Sequence, residues 1–118
     1  MANIQRFHVG ARLSETAVHN GTVYLAGQVA DDLSKDTKGQ TAEVLGMVER
    51  LLLEAGSDKS CILMAQIFLK DISEIGDMNT VWDAWIPAGH TPPRATVQAL
   101  MAKDGYKIEI VVTAAQIA

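Results

Sequence analysis

Val18-His19-Asn20-Gly21-Thr22-Val23-Tyr24-Leu25-Ala26-Gly27-Gln28-Val29 is the stretch that decides how this chain folds. Val18 to Asn20 and Thr22 to Val29 read as two short strands. Between them, Asn-Gly supplies the positive φ angles that a tight hairpin turn needs. A hairpin is therefore expected early in the chain.

Working outward, Thr37-Lys38-Gly39-Gln40 fits a capping box, and Val44, Met47, Val48, Leu51, Leu52 and Ala55 then recur at spacings of three and four. That pattern predicts an amphipathic helix ending at Gly56, since glycine closes helices in the left-handed conformation without a Cβ penalty. Ile62 to Leu69 is short, apolar and partly β-branched, and reads as a buried strand ending at Lys70-Asp71. A second helix, capped by Ser73, carries the stripe Ile75, Met78, Trp82 and Trp85 until Pro87 and Gly89 break it. His90-Thr91-Pro92-Pro93 is a stiff loop, because consecutive prolines remove two backbone donors. Arg94 to Met101 and Tyr106 to Gln116 read as strands separated by Ala102-Lys103-Asp104-Gly105, with Asp-Gly as the turn signal. Cys61, in an apolar run, reads as a core thiol.

The element order is ββαββαββ-like, or βαββαβ with an early hairpin. Either gives an α+β domain spanning residues 1–118, with one sheet and both helices on one of its faces. Along the last strand Ile108, Ile110 and Val112 alternate with Lys107, Glu109, Val111 and Thr113, so the face away from the helices carries apolar as well as charged residues. Covering that surplus by symmetric assembly predicts a homo-oligomer.

The 118 residues, 48% hydrophobic and 20% charged, suit one globular domain. A net charge of −4 gives no reason to expect capture by nucleic acid or anionic lipid. No run approaches the roughly 20 apolar residues of a membrane span, and Met1 to Gly10 lacks the apolar core of a signal peptide. The expected location is the cytoplasm. One cysteine excludes an intrachain disulfide, and His8, His19 and His90 lack metal-ligand spacing, so no metal is expected. The serines lack a nucleophile-elbow pattern, and no phosphate-cradling glycine motif occurs.

Arg94 opens a strand directly after two prolines, where a rigidly held guanidinium either grips an acidic ligand bidentately or makes a structural salt bridge. Glu109 lies in an apolar strand, where its charge is either specifically used or ion-paired with Arg94 or Lys107. Trp82 and Trp85, at helical spacing, read as packing residues.

Gly21-Thr22-Val23-Tyr24-Leu25-Ala26-Gly27-Gln28-Val29, Phe68-Leu69-Lys70-Asp71, Met78-Asn79, Pro93-Arg94-Ala95-Thr96-Val97-Gln98 and Lys107-Ile108-Glu109-Ile110 together resemble the YjgF-like, or Rid, family, in order and over nearly the full chain. Trp82-Asp83-Ala84-Trp85 and Ala88-Gly89-His90 are most similar to its YoaB-like branch. The resemblance implies a chorismate-mutase-like fold, with one mixed sheet and two helices, assembled as a trimer around a sheet-lined barrel with ligand clefts between subunits. It implies cofactor-independent hydrolysis of 2-imino acids or their enamine tautomers, such as 2-iminobutanoate and 2-iminopropanoate, to 2-oxo acids and ammonia. By the same resemblance Arg94 binds the substrate carboxylate with the Thr96 N–H, Glu109 activates water, Gly27 lies beside the imine and Asn79 stands near the site. Leu13 falls where the family has an aromatic wall, Ala26 where it has a serine, and Thr96 where a cysteine is common, which bears on substrate choice and rate. Alternatives are a nonenzymatic 2-oxo acid binding regulator and an endoribonuclease-type translation inhibitor.

Overall fold

The computed structural model describes residues 2–118; Met1 lies outside them. The Asn20-Gly21 turn forms as expected, with φ of 51° and 79°, and joins β2 (Ser14–His19) to β3 (Thr22–Leu25). The second strand is shorter than expected: beyond Leu25 the chain continues only as an isolated bridge, Gln28 to Ile110. A strand not anticipated, β1 (Gln5–Val9), pairs antiparallel with β2. Only Phe7 of its residues is even half-buried, so it lacks the apolar alternation by which strands are recognised.

Helix α1 (Thr37–Glu54) is capped by Asp36 rather than Thr37, the Asp36 carboxylate accepting the Gly39 N–H at 2.9 Å. Thr37 instead donates to Glu74, 2.8 Å away. Gln40 does not complete a capping box. Fully buried, it donates to the carbonyls of Lys35 (3.2 Å) and Gly105 (3.1 Å) and accepts from the Lys107 N–H (3.0 Å). Gly56 takes φ 81° just past the helix, as anticipated. β4 (Ile62–Leu69) coincides with its expected bounds. Cys61 is half-buried at the end of the 3-10 turn Lys59–Cys61 and not in the core, because the strand begins one residue later. Helix α2 (Ile75–Trp85) starts beyond Ser73. That serine lies in a separate 3-10 turn, Ile72–Glu74, whose cap is Asp71.

β5 (Arg94–Gln98) and β6 (Ile108–Ala115) follow, both shorter than expected. They do not form a hairpin despite Asp104-Gly105. The sheet order is β1-β2-β3-β6-β4-β5, so β6 runs antiparallel between β3 and β4, and β5 lies parallel to β4 on the outer edge. The element order is therefore βββαβαββ, with one strand between the helices where a pair was expected. Both helices pack together over one face, where Val23, Leu25, Ala65, Ile67, Leu69, Ile108, Ile110, Val112 and Ala114 meet Val44, Leu45, Val48, Leu52, Met78 and Trp82. Register puts Tyr24, Gln66, Phe68, Val97, Glu109, Val111 and Thr113 on the other face. Tyr24 and Val97 there are 50% and 47% exposed. Among the described residues, no helix is long and apolar enough to cross a membrane.

Candidate functional site

Pro92-Pro93 delivers the chain stiffly into β5, whose pairing with β4 sets the direction of every backbone group. Ala65 N–H donates to the Pro93 carbonyl and Ala99 N–H to that of Leu69, each at 3.0 Å. In a parallel ladder, alternate residues of a strand bond to its neighbour. The amides of Arg94, Thr96 and Gln98 therefore point out from the open edge of the sheet.

The Arg94 side chain lies on the helix-covered face, aligned with Ala65. Its Nη2 donates to Asn79 Oδ1 at 2.8 Å, its Nη1 is 3.9 Å from Met78 Sδ, and its Cζ is 5.2 Å from the centroid of the Trp82 ring. Stacking and one amide hold the fork in place. No carboxylate pairs with Arg94 among the described residues, so the salt-bridge reading is not what the structure shows. Thr96 shares its face, and its hydroxyl is buried without a hydrogen-bond partner. The guanidinium thus has donors left over, beside an unpaired N–H and an unused hydroxyl.

Glu109 occupies the opposite face, in a row with Phe68 and Val97, and pairs with neither Arg94 nor Lys107. The Gln28 to Ile110 bridge brings Gly27 against it. A side chain on Gly27 would overlap the Glu109 carboxylate, so only glycine permits this approach. Leu13, 57% exposed, ends a turn closed by the Gly10 N–H on its carbonyl at 2.8 Å. Leu13 and Gly27 line a groove of about 700 Å³ beside α1.

The structure therefore gathers the sequence-read residues into two groups. Arg94, Thr96 and Asn79 stand at one sheet edge, while elsewhere Gly27 meets Glu109 and shares the groove with Leu13. Within one chain, β4 separates β5 from β6 by two strand spacings, about 10 Å, and the two charged side chains leave opposite faces. The seat that Trp82 and Met78 provide for Arg94 went unread, because helical spacing marks both only as core. Gln28, whose Nε2 donates to Glu15 Oε2 (3.1 Å) and the Ala26 carbonyl (3.0 Å), was likewise missed; its one signal was an amide inside an apolar run. His8, at φ 53°, bonds Glu54 at 2.8 Å, and His90 is exposed in its loop. Among the described residues no three His, Cys, Asp or Glu side chains are grouped to hold a metal.

The family model described as Endoribonuclease L-PSP matches residues 3–116. The RutC family protein YoaB of Escherichia coli is 45% identical over 112 residues, covering 95% of this chain and 97% of the relative. A rat protein named 2-iminobutanoate/2-iminopropanoate deaminase is 28% identical over 109 residues, covering 87% of this chain and 79% of its own. Among solved structures, a YjgF family member from Neisseria meningitidis superposes with a TM-score of 0.95 at 41% identity, covering 99% of this chain and 98% of its own. The chain belongs to the YjgF/Rid family, in its YoaB-like branch.

Proposed function

We propose that this protein hydrolyses 2-imino acids and their enamine tautomers to 2-oxo acids and ammonia, in clefts formed between copies of the chain in a trimer. The observation that carries this reading is the unpaired Arg94, braced by Asn79 and Trp82 at an open sheet edge beside the free Thr96 N–H. Such a fork suits a small carboxylate. The name of the rat relative supports the substrate class. Because Arg94 and Glu109 leave opposite faces of one sheet, a small substrate reaches both only across two chains.

The Arg94 guanidinium and Thr96 N–H hold the carboxylate, which fixes the adjacent imine carbon next to the Gly27 backbone. Glu109 takes a proton from water as its oxygen adds to that carbon. The proton is returned to nitrogen, giving a carbinolamine; its hydroxyl then passes its own proton by way of Glu109 to that nitrogen as the C–N bond breaks and the C=O forms, and the 2-oxo acid and ammonia leave. The chain's own residues supply every group these steps require.

The test generates 2-iminobutanoate in situ and follows ammonia release. Acceleration above the buffer rate is expected, falling roughly a hundredfold or more in Arg94→Ala and in Glu109→Gln. No acceleration by the wild type defeats the deaminase reading. If 2-oxobutanoate then still binds in an Arg94-dependent way, the protein is a metabolite-binding regulator. An RNA-cleaving role is disfavoured by the net charge of −4.

A further inference from the structure

The groove bordered by Leu13 and Gly27 is larger than a three- or four-carbon imino acid needs, and its charge is uneven. Glu15, Asp31 and Glu54 line it, against one permanent cation, Arg50. Glu54 is bonded to His8. Glu15 is half-buried, accepts only the neutral Gln28 amide at 3.1 Å, and has neither Arg50 nor any other cation within ion-pairing distance among the described residues. A partly desolvated carboxylate beside an open groove, held by an amide and lacking a counter-charge, is incomplete as a structural feature. It is complete as half of a binding pair.

Resting on the deaminase reading of this site, we infer that Glu15 is a specificity residue selecting substrates with a cationic side chain, the imino acids derived from arginine or lysine. Glu15 lies in β2 and Leu13 immediately precedes that strand, and both line the groove. With the imine carbon beside Gly27, a substrate side chain passes its methylenes over Leu13 and brings its terminal cation to Glu15. Leucine, apolar and uncharged, suits the methylene stretch. Gln28, nearly fully buried, fixes the carboxylate rotamer by bonding both Glu15 and the Ala26 carbonyl. An isosteric Glu15→Gln change removes the charge and keeps the shape.

The experiment compares wild type and Glu15→Gln by two readouts. Hydrolysis is measured on imines made in situ from arginine and from 2-aminobutanoate by an amino acid oxidase. Binding is measured by calorimetry with 2-oxo-5-guanidinopentanoate and 2-oxobutanoate. The wild type is expected to favour the guanidino compound by about tenfold, the value of one partly desolvated ion pair, and Glu15→Gln to lose that preference. Using a ratio makes the neutral compound an internal control for folding. A Glu15-dependent binding preference without turnover defeats the deaminase reading and leaves this inference standing. Turnover or binding with the same ratio in both proteins overturns it, as does failure of the guanidino compound to bind.

Discussion

A methyl group on Gly27 has nowhere to go but into the carboxylate of Glu109. Gly27→Ala is therefore expected to swing that carboxylate aside. Deaminase kcat/KM should fall roughly a hundredfold while Tm moves by no more than about 3 °C, since the side chain of Glu109 anchors nothing else in the fold. Turnover assays paired with thermal melts check this; a large Tm loss would mean that the contact serves stability. At the opposite face, Arg94→Lys keeps the charge but cannot both bond Asn79 and present a planar fork. Calorimetric binding of 2-oxobutanoate should weaken at least about tenfold. At this scale the sequence was informative about Arg94, because two prolines before a strand announce a rigid cation. It was silent on what seats it, since the spacing of Met78 and Trp82 is equally that of ordinary core.

Among the elements, the same local device recurs. Asp32-Leu33-Ser34, Asp58-Lys59-Ser60 and Asp71-Ile72-Ser73 each have the aspartate accepting from the serine hydroxyl and backbone N–H two residues on. Those hydroxyls first, and the N–H groups second, hold all three carboxyls below their ordinary value of 3.8. Glu43, bonded first to the Asp31 N–H, is likewise held down. A carboxyl lowered by folding contributes stability that is fully present above its unfolded value and lost as pH falls through the folded one. The urea midpoint should thus stay level from neutrality to about pH 5 and decline below about pH 4. A midpoint that rises below pH 4 would contradict this. Gln40→Leu is expected to cost about 3 kcal/mol in urea unfolding, because it strands the Lys107 N–H and two carbonyls inside the protein. These polar details explain why helix starts were misplaced by one or two residues: Asp36, Thr37, Gln40 and Ser73 all have capping chemistry, and tertiary partners decide which of them caps. The apolar spacing inside α1 and α2 has no such competitor, and it was legible.

For the molecule as a whole, the face opposite the helices carries Tyr24, Phe68, Val97 and Val111 around Glu109. If copies of the chain cover that face, Val111→Glu should shift the assembly to monomer in sedimentation velocity and abolish deamination together with it. Full activity from a monomer would remove the need for a second chain. The alternation Ile108, Ile110, Val112 made both faces of β6 readable in advance. Its neighbours were not, because Asp104-Gly105 is a sound hairpin signal and nothing local shows that β4 already occupies the place beside β6. Strand order is settled by which pairings bury the most surface, a property no short window contains.

That placement of β6 bears on the birth of the protein. Thr22 pairs with Ala115, so the sheet closes only when one of its earliest strands meets its last. During synthesis the β1-β2-β3 meander and the β4-β5 pair emerge as two separate halves, each with an unsatisfied edge until Ile108–Ala115 arrives to join them. Unpaired edges of this kind invite association with other nascent chains, and such distant pairing is slow to form. A ribosome stalled before Ile108 would carry two half-sheets with nothing yet to join them.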